Sequence, residues 1–184
     1  MDLQSNSCDD LLAKESLFNA FRPVFSPNGQ YLSFLSTSDT PAPYSCHKLM
    51  IMDWPSLTVK TLVDIVQKPA IAMEQFGFSS FPGIYTEGMY PHSWSSDSST
   101  LFLESDWNFA RAILSINAST GKVSRIMVPP SSGSETSVDS SKVESLYFLD
   151  QRDGYLLCYK SSPVNPFVLY LLKLGKESNV EQAQ

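Results

Sequence analysis

The sequence predicts an all-β fold built from small antiparallel sheets, and three observations point to it. Short apolar segments recur along the whole chain, with turn-forming residues between them. Helical periodicity is confined to one weak candidate, Asp9–Phe18, in which Asp9 or Asp10 would be the N-cap. Two stretches of the chain also resemble two others in the same order, which indicates an internal structural repeat.

The strands are predicted from apolar runs and from the turn residues that separate them. Asn28-Gly29, Thr120-Gly121 and Asp153-Gly154 stand between strands, where tight turns are needed. Asn117 is interpreted as the residue that ends a strand by bonding to its own backbone. The predicted strands are Tyr31–Leu35, Lys48–Asp53, Val59–Val63, Thr100–Glu104, Ala112–Ile116, Val123–Val128, Glu144–Leu149, Tyr155–Lys160 and Phe167–Leu172.

Several of these strands are continuous apolar runs, of which Leu49–Met52 and Phe167–Leu172 are examples. A strand with one face in water alternates polar and apolar side chains, so a continuous run indicates that both faces are covered. The connections between strands are too short for crossover helices, which argues against a parallel sheet. Each small sheet is therefore predicted to be packed between neighbouring sheets.

The internal repeat indicates how the sheets are arranged. Phe25–Ser36 aligns with Trp94–Ser105 at an offset of 69 residues, and Leu49–Asp53 aligns with Ile113–Asn117 at an offset of 64. An aromatic residue, a serine, a tight turn and several strands that recur every ~65 residues are typical of a β-propeller blade. The leading aromatic residues, Phe25 and Trp94, are predicted to pack between blades. The alternative is a β-sandwich in which two hairpins resemble each other by chance.

A propeller closes with at least about four blades, whereas at ~65 residues a blade this chain holds fewer than three. The prediction is therefore a partial β-propeller of about two and a half blades of antiparallel four-stranded sheets. A polar N-terminal segment is assigned to residues 1–19, the propeller to 20–174 and a polar tail to 175–184, and the tail is expected to fray. Either the chain is a portion of a larger propeller, or it leaves two sheet faces and some edges open.

Composition excludes several classes of function. The chain has 184 residues, is 42% hydrophobic and carries a net charge of -6, without the basic stripe of a nucleic-acid binder. Its apolar runs are far shorter than the roughly 20 residues of a membrane span, and residues 1–10 lack the layout of a signal peptide. Cys8, Cys46 and Cys158 are an odd, sparse set, which favours reduced thiols. We therefore expect a cytoplasmic protein with no membrane or nucleic-acid partner.

No catalytic, cofactor-binding or metal-ligating residue is predicted. The nearest approach to a nucleophile elbow is Gly77–Phe81 around Ser79, which lacks the second glycine of that motif. A structural or surface role is favoured for His92 over that of a catalytic base, and the same holds for His47. Cys46 and His47 are adjacent, whereas zinc ligands are usually spaced two to four residues apart. No glycine-rich phosphate loop occurs, so no cofactor is expected.

The stretch Arg22–Ser36 resembles the propeller blades of the prolyl oligopeptidase family of serine peptidases. Within that family, the chain most resembles the acylamino-acid-releasing enzymes (acylaminoacyl peptidases), and the plant-type ones in particular, because several further stretches occur in the order found there. The resemblance covers roughly residues 20–174. The further stretches are Met52–Trp54, Phe81–Tyr85, Trp94–Asp97, Ile113–Asn117 with Gly121–Ile126, and Ser161–Val164.

The resemblance implies a cytosolic oligomeric hydrolase that releases N-acylated residues from short blocked peptides. It also implies a propeller above an α/β-hydrolase domain, which carries the Ser-Asp-His triad. No catalytic residue of the family has a counterpart in this sequence, so we expect a non-catalytic propeller portion that acts as a structural wall and substrate-size filter. Its expected partners are the hydrolase domain of the parent enzyme or another propeller subunit, and a homo-oligomer is expected.

Two alternatives belong to other classes of function. One is a free-standing propeller-type protein-interaction module, which would pair through open sheet edges with itself or with a partner. The other is an independent enzyme with an unrecognised site, which the missing motifs and the two histidines disfavour.

Overall fold

The computed structural model describes residues 10–12, 17, 19–37, 44–67, 80–107, 110–128 and 144–175, and the backbone of 180–182. Within these ranges the chain forms strands and no helix, so the all-β prediction is confirmed, and no helix there has the length and apolarity to cross a bilayer. The strands are β1 Ala20–Phe25, β2 Tyr31–Ser36, β3 Lys48–Asp53, β4 Thr58–Val63, β5 Thr100–Trp107, β6 Ala110–Asn117, β7 Val123–Ile126, β8 Ser145–Arg152, β9 Tyr155–Ser162, β10 Asn165–Lys173 and β11 Val180–Gln182.

The first sheet is an antiparallel meander in the order β1-β2-β3-β4. Strand β3 has the predicted bounds, and β2 and β4 are each one residue longer than predicted. Strand β1 was not predicted, because it contains Pro23 and its mostly exposed side chains give no apolar run. Its edge position tolerates the proline, and its register shifts between Phe21 and Val24, where Arg22 has a φ of 56°.

The second sheet repeats this plan with an irregular first strand. Strands β5, β6 and β7 pair in sequence, and β11 lies on the outer side of β7. Residues 84–95 occupy the position that β1 has in the first sheet. They run beside β5 and bond to it at isolated points instead of forming a regular strand. The amide of Asp106 donates to the Tyr85 carbonyl at 2.8 Å, and the amide of Phe102 donates to the Ser93 carbonyl at 2.7 Å. The tail predicted to fray thus contributes one short strand to this sheet.

The tight turns of the first two sheets match bond for bond, which confirms the repeat. The Ser26 hydroxyl donates to Asn28 Oδ1 at 2.7 Å, and the Ser95 hydroxyl donates to Asp97 Oδ1 at 2.6 Å. In both turns the same hydroxyl accepts the amide five residues later at 2.9 Å. At the other aligned turn, Asn117 Oδ1 accepts the amides of the second and third residues after it, as predicted.

The third sheet has the order β10-β9-β8, with β10 at its outer edge. Asp153 and Gly154 connect β8 to β9 with φ values of 50° and 78°, the left-handed pair that a tight hairpin turn requires. Within the described ranges this sheet has three strands, whereas a complete blade has four. With two four-stranded sheets before it, the structure confirms the predicted partial propeller, with open sheets.

Two apolar cores lie between successive sheets. Leu35, Leu49 and Ile51 of the first sheet belong to a core that also contains Leu103 and Leu114 of the second. A separate core joins the second sheet to the third, with members including Phe102, Ile113, Leu146, Phe148 and Leu156. Both faces of the second sheet are therefore buried. The continuous apolar run Leu49–Met52 of the first sheet is buried throughout, as predicted. The same prediction is wrong for Phe167–Leu172 in β10, which is mostly exposed because no sheet among the described residues covers its outer face.

The outer face of the first sheet is covered in part by the N-terminal segment. Leu12 and Leu17 pack against a buried group that includes Phe34 and Met52. The described residues of the predicted helix Asp9–Phe18 are not helical: residues 11 and 12 form a turn, in which Asp10 Oδ1 accepts the amide of Leu12 at 3.0 Å. The helix prediction is wrong for these residues, and the others of that stretch lie outside the described ranges.

The two leading aromatic residues of the repeat differ in their surroundings. Trp94 is only 2% exposed, and its indole Nε1 donates to the Ser33 hydroxyl at 3.0 Å across the first two sheets. Phe25 is 49% exposed and contacts Trp54 edge-on at 4.8 Å between ring centroids. The prediction that both aromatics pack between blades is right for Trp94 and wrong for Phe25, because no sheet among the described residues precedes the first one.

Two glycines at left-handed φ provide a matched test of this packing. Gly121 has a φ of 72°, and a Cβ there would collide with the backbone carbonyl of Leu62 in the first sheet, whereas a Cβ at Gly29, φ 68°, meets nothing within 4 Å. We expect Gly29→Ala to lower the free energy of unfolding by about 1–2 kcal/mol, the conformational cost alone. Gly121→Ala should cost about 1–3 kcal/mol more, because the two sheets must move apart. Urea denaturation of both variants measures the difference, and equal losses would contradict this packing.

Candidate functional site

A cleft of about 390 Å³ opens between the first two sheets. It lies at the end of the sheets that holds the β5–β6 connection, opposite the matched tight turns. Four rings form one part of its walls, those of Phe21, Tyr44, His47 and Tyr85. Four polar side chains form the other part, those of Thr86, Glu87, Asp106 and Arg111. A cleft of this size with convergent polar groups is the usual form of a small-ligand site.

Backbone contacts between the two sheets position the rings of the cleft. The amide of His47, just before β3, donates to the Ile84 carbonyl at 2.8 Å and so joins the first sheet to the irregular strand of the second. The amide of Tyr85 donates to the Ser105 hydroxyl at 2.9 Å. The rings of Phe21 and His47 meet edge to face, with centroids 5.2 Å apart. The aromatic wall is therefore fixed by the pairing of residues that are distant in sequence.

An Arg–carboxylate group forms the polar wall. Arg111 Nε lies 2.8 Å from Asp106 Oδ1, and its Nη1 lies 3.9 Å from Oε2 of Glu104. The cross-strand pairing of β5 with β6 places Asp106 opposite Arg111. The backbone amide of Arg111 donates to the Ser145 hydroxyl at 3.1 Å, which connects this group to the third sheet.

Glu104 is a buried carboxylate behind the cleft, only 6% exposed. It accepts the amide of Phe148 and so joins the second sheet to the third. Burial raises the pKa of Glu104 above the ordinary glutamate range, and the Phe148 amide, the nearby charge of Arg111 and the Tyr90 side chain oppose that rise only in part. Glu104 was not predicted from the sequence as a site residue. The signal that could have identified it is a charged residue directly after the apolar residues of β5.

The two histidines occupy different surroundings. Burial lowers the pKa of His47 below its ordinary value, which keeps the ring neutral at pH 7, and its Nδ1 has no hydrogen-bond partner among the described residues. His92 is exposed, and its Nδ1 lies 2.8 Å from Asp150 Oδ1 in the third sheet. Within the described ranges no serine or threonine hydroxyl bonds to His92. The surroundings of His92 are those of the predicted surface histidine, and Ser79 lies outside the described residues.

The cysteines are placed as buried thiols where the structure describes them. Cys46 and Cys158 are free and buried, and burial raises the pKa of Cys158 to about 11, so its thiol stays protonated at neutral pH. Cys8 lies outside the described residues. In the part of the chain that the structure describes, no three His, Cys, Asp or Glu side chains are grouped to hold a metal ion.

The amino-acid sequence of the chain is similar to those of one family of enzymes. A family profile described as "Acylamino-acid-releasing enzyme, N-terminal domain" matches residues 3–182. Acylamino-acid-releasing enzyme 1 of Oryza sativa subsp. japonica is 36% identical over 119 residues, which cover 60% of this chain and 14% of that protein. Acylamino-acid-releasing enzyme of Arabidopsis thaliana is 35% identical over 118 residues, which cover 60% of this chain and 15% of that protein.

A third relative is matched over a longer range. Acylamino-acid-releasing enzyme 2 of Oryza sativa subsp. japonica is 33% identical over 163 residues, which cover 82% of this chain and 18% of that protein. The chain thus spans less than a fifth of the length of these curated relatives. Among solved structures, TolB from Acinetobacter baumannii matches 89% of this chain and 32% of its own, with a TM-score of 0.45 and 14% identity.

The buried carboxylate gives a pH test of the second and third sheets. Because the pKa of Glu104 is higher in the folded chain than in the unfolded one, its contribution to stability is complete at acid pH and is lost as the pH rises through the folded value. We expect Glu104→Gln to remove this fall, each unit of pKa elevation being worth about 1.4 kcal/mol. Urea denaturation at a series of pH values measures this fall in the free energy of unfolding. The control variant is Glu87→Gln, at the exposed rim of the cleft. The same pH dependence in wild type and Glu104→Gln would contradict the assignment.

Proposed function

Because this chain belongs to the acylamino-acid-releasing enzyme family, as part of its N-terminal domain, we propose that it is a non-catalytic section of a propeller wall. In this role it narrows access to a hydrolase domain, so that only small or extended N-acylated peptides reach the nucleophile. The activity belongs to the whole enzyme, and this section contributes shape and steric exclusion. The family match and the face-to-face packing of successive sheets support the proposal.

The observation that carries the proposal is an uncovered apolar face on the third sheet. Phe167, Leu169 and Leu171 of β10 are 70%, 67% and 65% exposed. Cross-strand pairing places Leu169 beside Tyr159 and Leu171 beside Leu157, and these side chains together form what we term the open face. Monomeric proteins seldom leave so continuous an apolar surface in water.

The opposite face of the same sheet shows what normally covers such a surface. Leu156 and Cys158 are fully buried against the second sheet, where the stacking of two blades removes them from water. A following blade would cover the open face in the same manner, which is the requirement of a closed propeller. The open face therefore supports a role within a larger propeller.

A second candidate function rests on the same surface. Among the described residues no strand pairs with the outer edge of β10 beside the open face, which favours pairing with another copy or with a partner protein. In that case the chain is an interaction module and forms a defined dimer without a hydrolase domain.

Catalysis is tested directly with the purified chain. We expect no hydrolysis of an acetyl-alanine chromogenic amide, because the triad that the family requires has no counterpart in this sequence. Absorbance of the released chromophore measures turnover, and a homologous full-length plant enzyme is the positive control. Turnover that survives repurification and is blocked by a serine-directed phosphonate would overturn the non-catalytic role.

The open face is tested by charge substitution. We expect the triple variant Phe167→Lys, Leu169→Lys, Leu171→Lys to stay folded and to bind much less of a hydrophobic fluorescent dye, because these side chains are mostly in water already. Leu156→Lys is the matched control on the buried face, and it should unfold the third sheet. Unchanged dye binding in the triple variant would contradict an exposed face. A wild-type dimer that the triple variant dissociates would favour the interaction module.

A further inference from the structure

The cleft between the first two sheets is not explained by a role in steric exclusion. Tyr44 at its rim is 81% exposed and has a φ of 60°, a left-handed conformation that costs a non-glycine residue free energy. Residues held in such sparsely populated backbone conformations cluster at active sites and ligand clamps. The volume of the cleft, about 390 Å³, lies toward the lower end of the range of small-ligand pockets.

Aromatic rings make up half of the side chains that line the cleft. Phe21, Tyr44 and Tyr85 line it together with His47, whose ring is neutral because burial lowers its pKa. Tyr and Phe rings attract a guanidinium or an ammonium group that lies over them. The apolar part of a long basic side chain also packs well against such rings.

The charges of the cleft favour the same ligand. Glu87 is exposed, and no ion pair to its carboxylate forms among the described residues, since Arg22 Nε donates instead to the Glu87 backbone carbonyl at 3.3 Å. Arg111 is flanked by Asp106 at 2.8 Å and Glu104 at 3.9 Å, so its charge is already balanced. An arriving anion would meet these carboxylates, whereas an arriving cation finds an acceptor at Glu87 and shares Asp106 with Arg111.

We propose that this cleft binds a basic side chain of a peptide, with the cation between the aromatic wall and the carboxylates of Glu87 and Asp106. The aliphatic part of the side chain lies against Phe21 and Tyr85, and Tyr44 closes over the charged end. This binding role does not depend on the propeller-wall role. It recognises charge and planarity, which predicts a preference for arginine over an uncharged side chain of the same shape.

Isothermal titration of the full chain with three amino-acid amides tests this preference. The probes are N-acetyl-arginine methylamide, the citrulline analogue, which has the same shape without the charge, and the glutamate analogue. We expect the arginine probe to bind with a Kd on the order of 1 mM, the citrulline probe about fivefold more weakly, and the glutamate probe not at all. Equal binding of arginine and citrulline, tightest binding of glutamate, or no binding of arginine at about ten times that concentration would overturn the proposal.

Two cleft variants assign the binding to these residues. We expect Tyr44→Ala and Glu87→Gln each to weaken arginine binding about threefold. Both side chains are exposed, so both variants should fold, which near-ultraviolet circular dichroism checks. Tyr155→Ala and Glu144→Gln on the third sheet are the matched controls and should leave the Kd unchanged. An unchanged Kd in both cleft variants, or an equal loss in the controls, would overturn the assignment.

Discussion

Burial of apolar sheet faces against one another is the constraint on which this structure depends. Trp94 is a large buried side chain between the first two sheets. Its ring lies parallel to that of Tyr31, and its indole N–H donates to the Ser33 hydroxyl across the boundary. Complete burial of a tryptophan removes about 150–250 Å² from water, worth about 4–6 kcal/mol. No sheet of this size covers both of its own faces, so stability grows only as sheets are stacked.

The cleft with its polar wall lies where the stacking of the first two sheets is incomplete. The cores fill the middle of each pair of sheets, and the sheets separate toward the end where β5 connects to β6, which leaves the cleft. Glu104 lies on the face of β5 that is turned toward the third sheet, where burial raises its pKa and where it accepts the amide of Phe148. Glu104, whose burial costs free energy, thus links the second sheet to the third. Its neighbours Asp106 and Arg111 form the polar wall of the cleft.

The strands and the repeat could be predicted from sequence because they depend on local patterns. The bounds of β3 follow from an apolar run and the Asp53 turn, and the matched serine turns follow from residue type alone. Strands β1 and β11 could not be predicted, since Pro23 interrupts one and the other is a short segment within a polar tail. The cleft could not be predicted either, because sheet packing brings Phe21 to the residues around Tyr85 and Arg111 from distant parts of the chain.

The claim that this chain is a stack of blades within a larger propeller is tested most directly in the cell. An antibody raised against the purified chain should be used on a native extract of the source organism. We expect the antigen in a band well above 20.5 kDa, because the open face of the third sheet then has a following blade to cover it. Antigen confined to a band at 20.5 kDa would contradict this account.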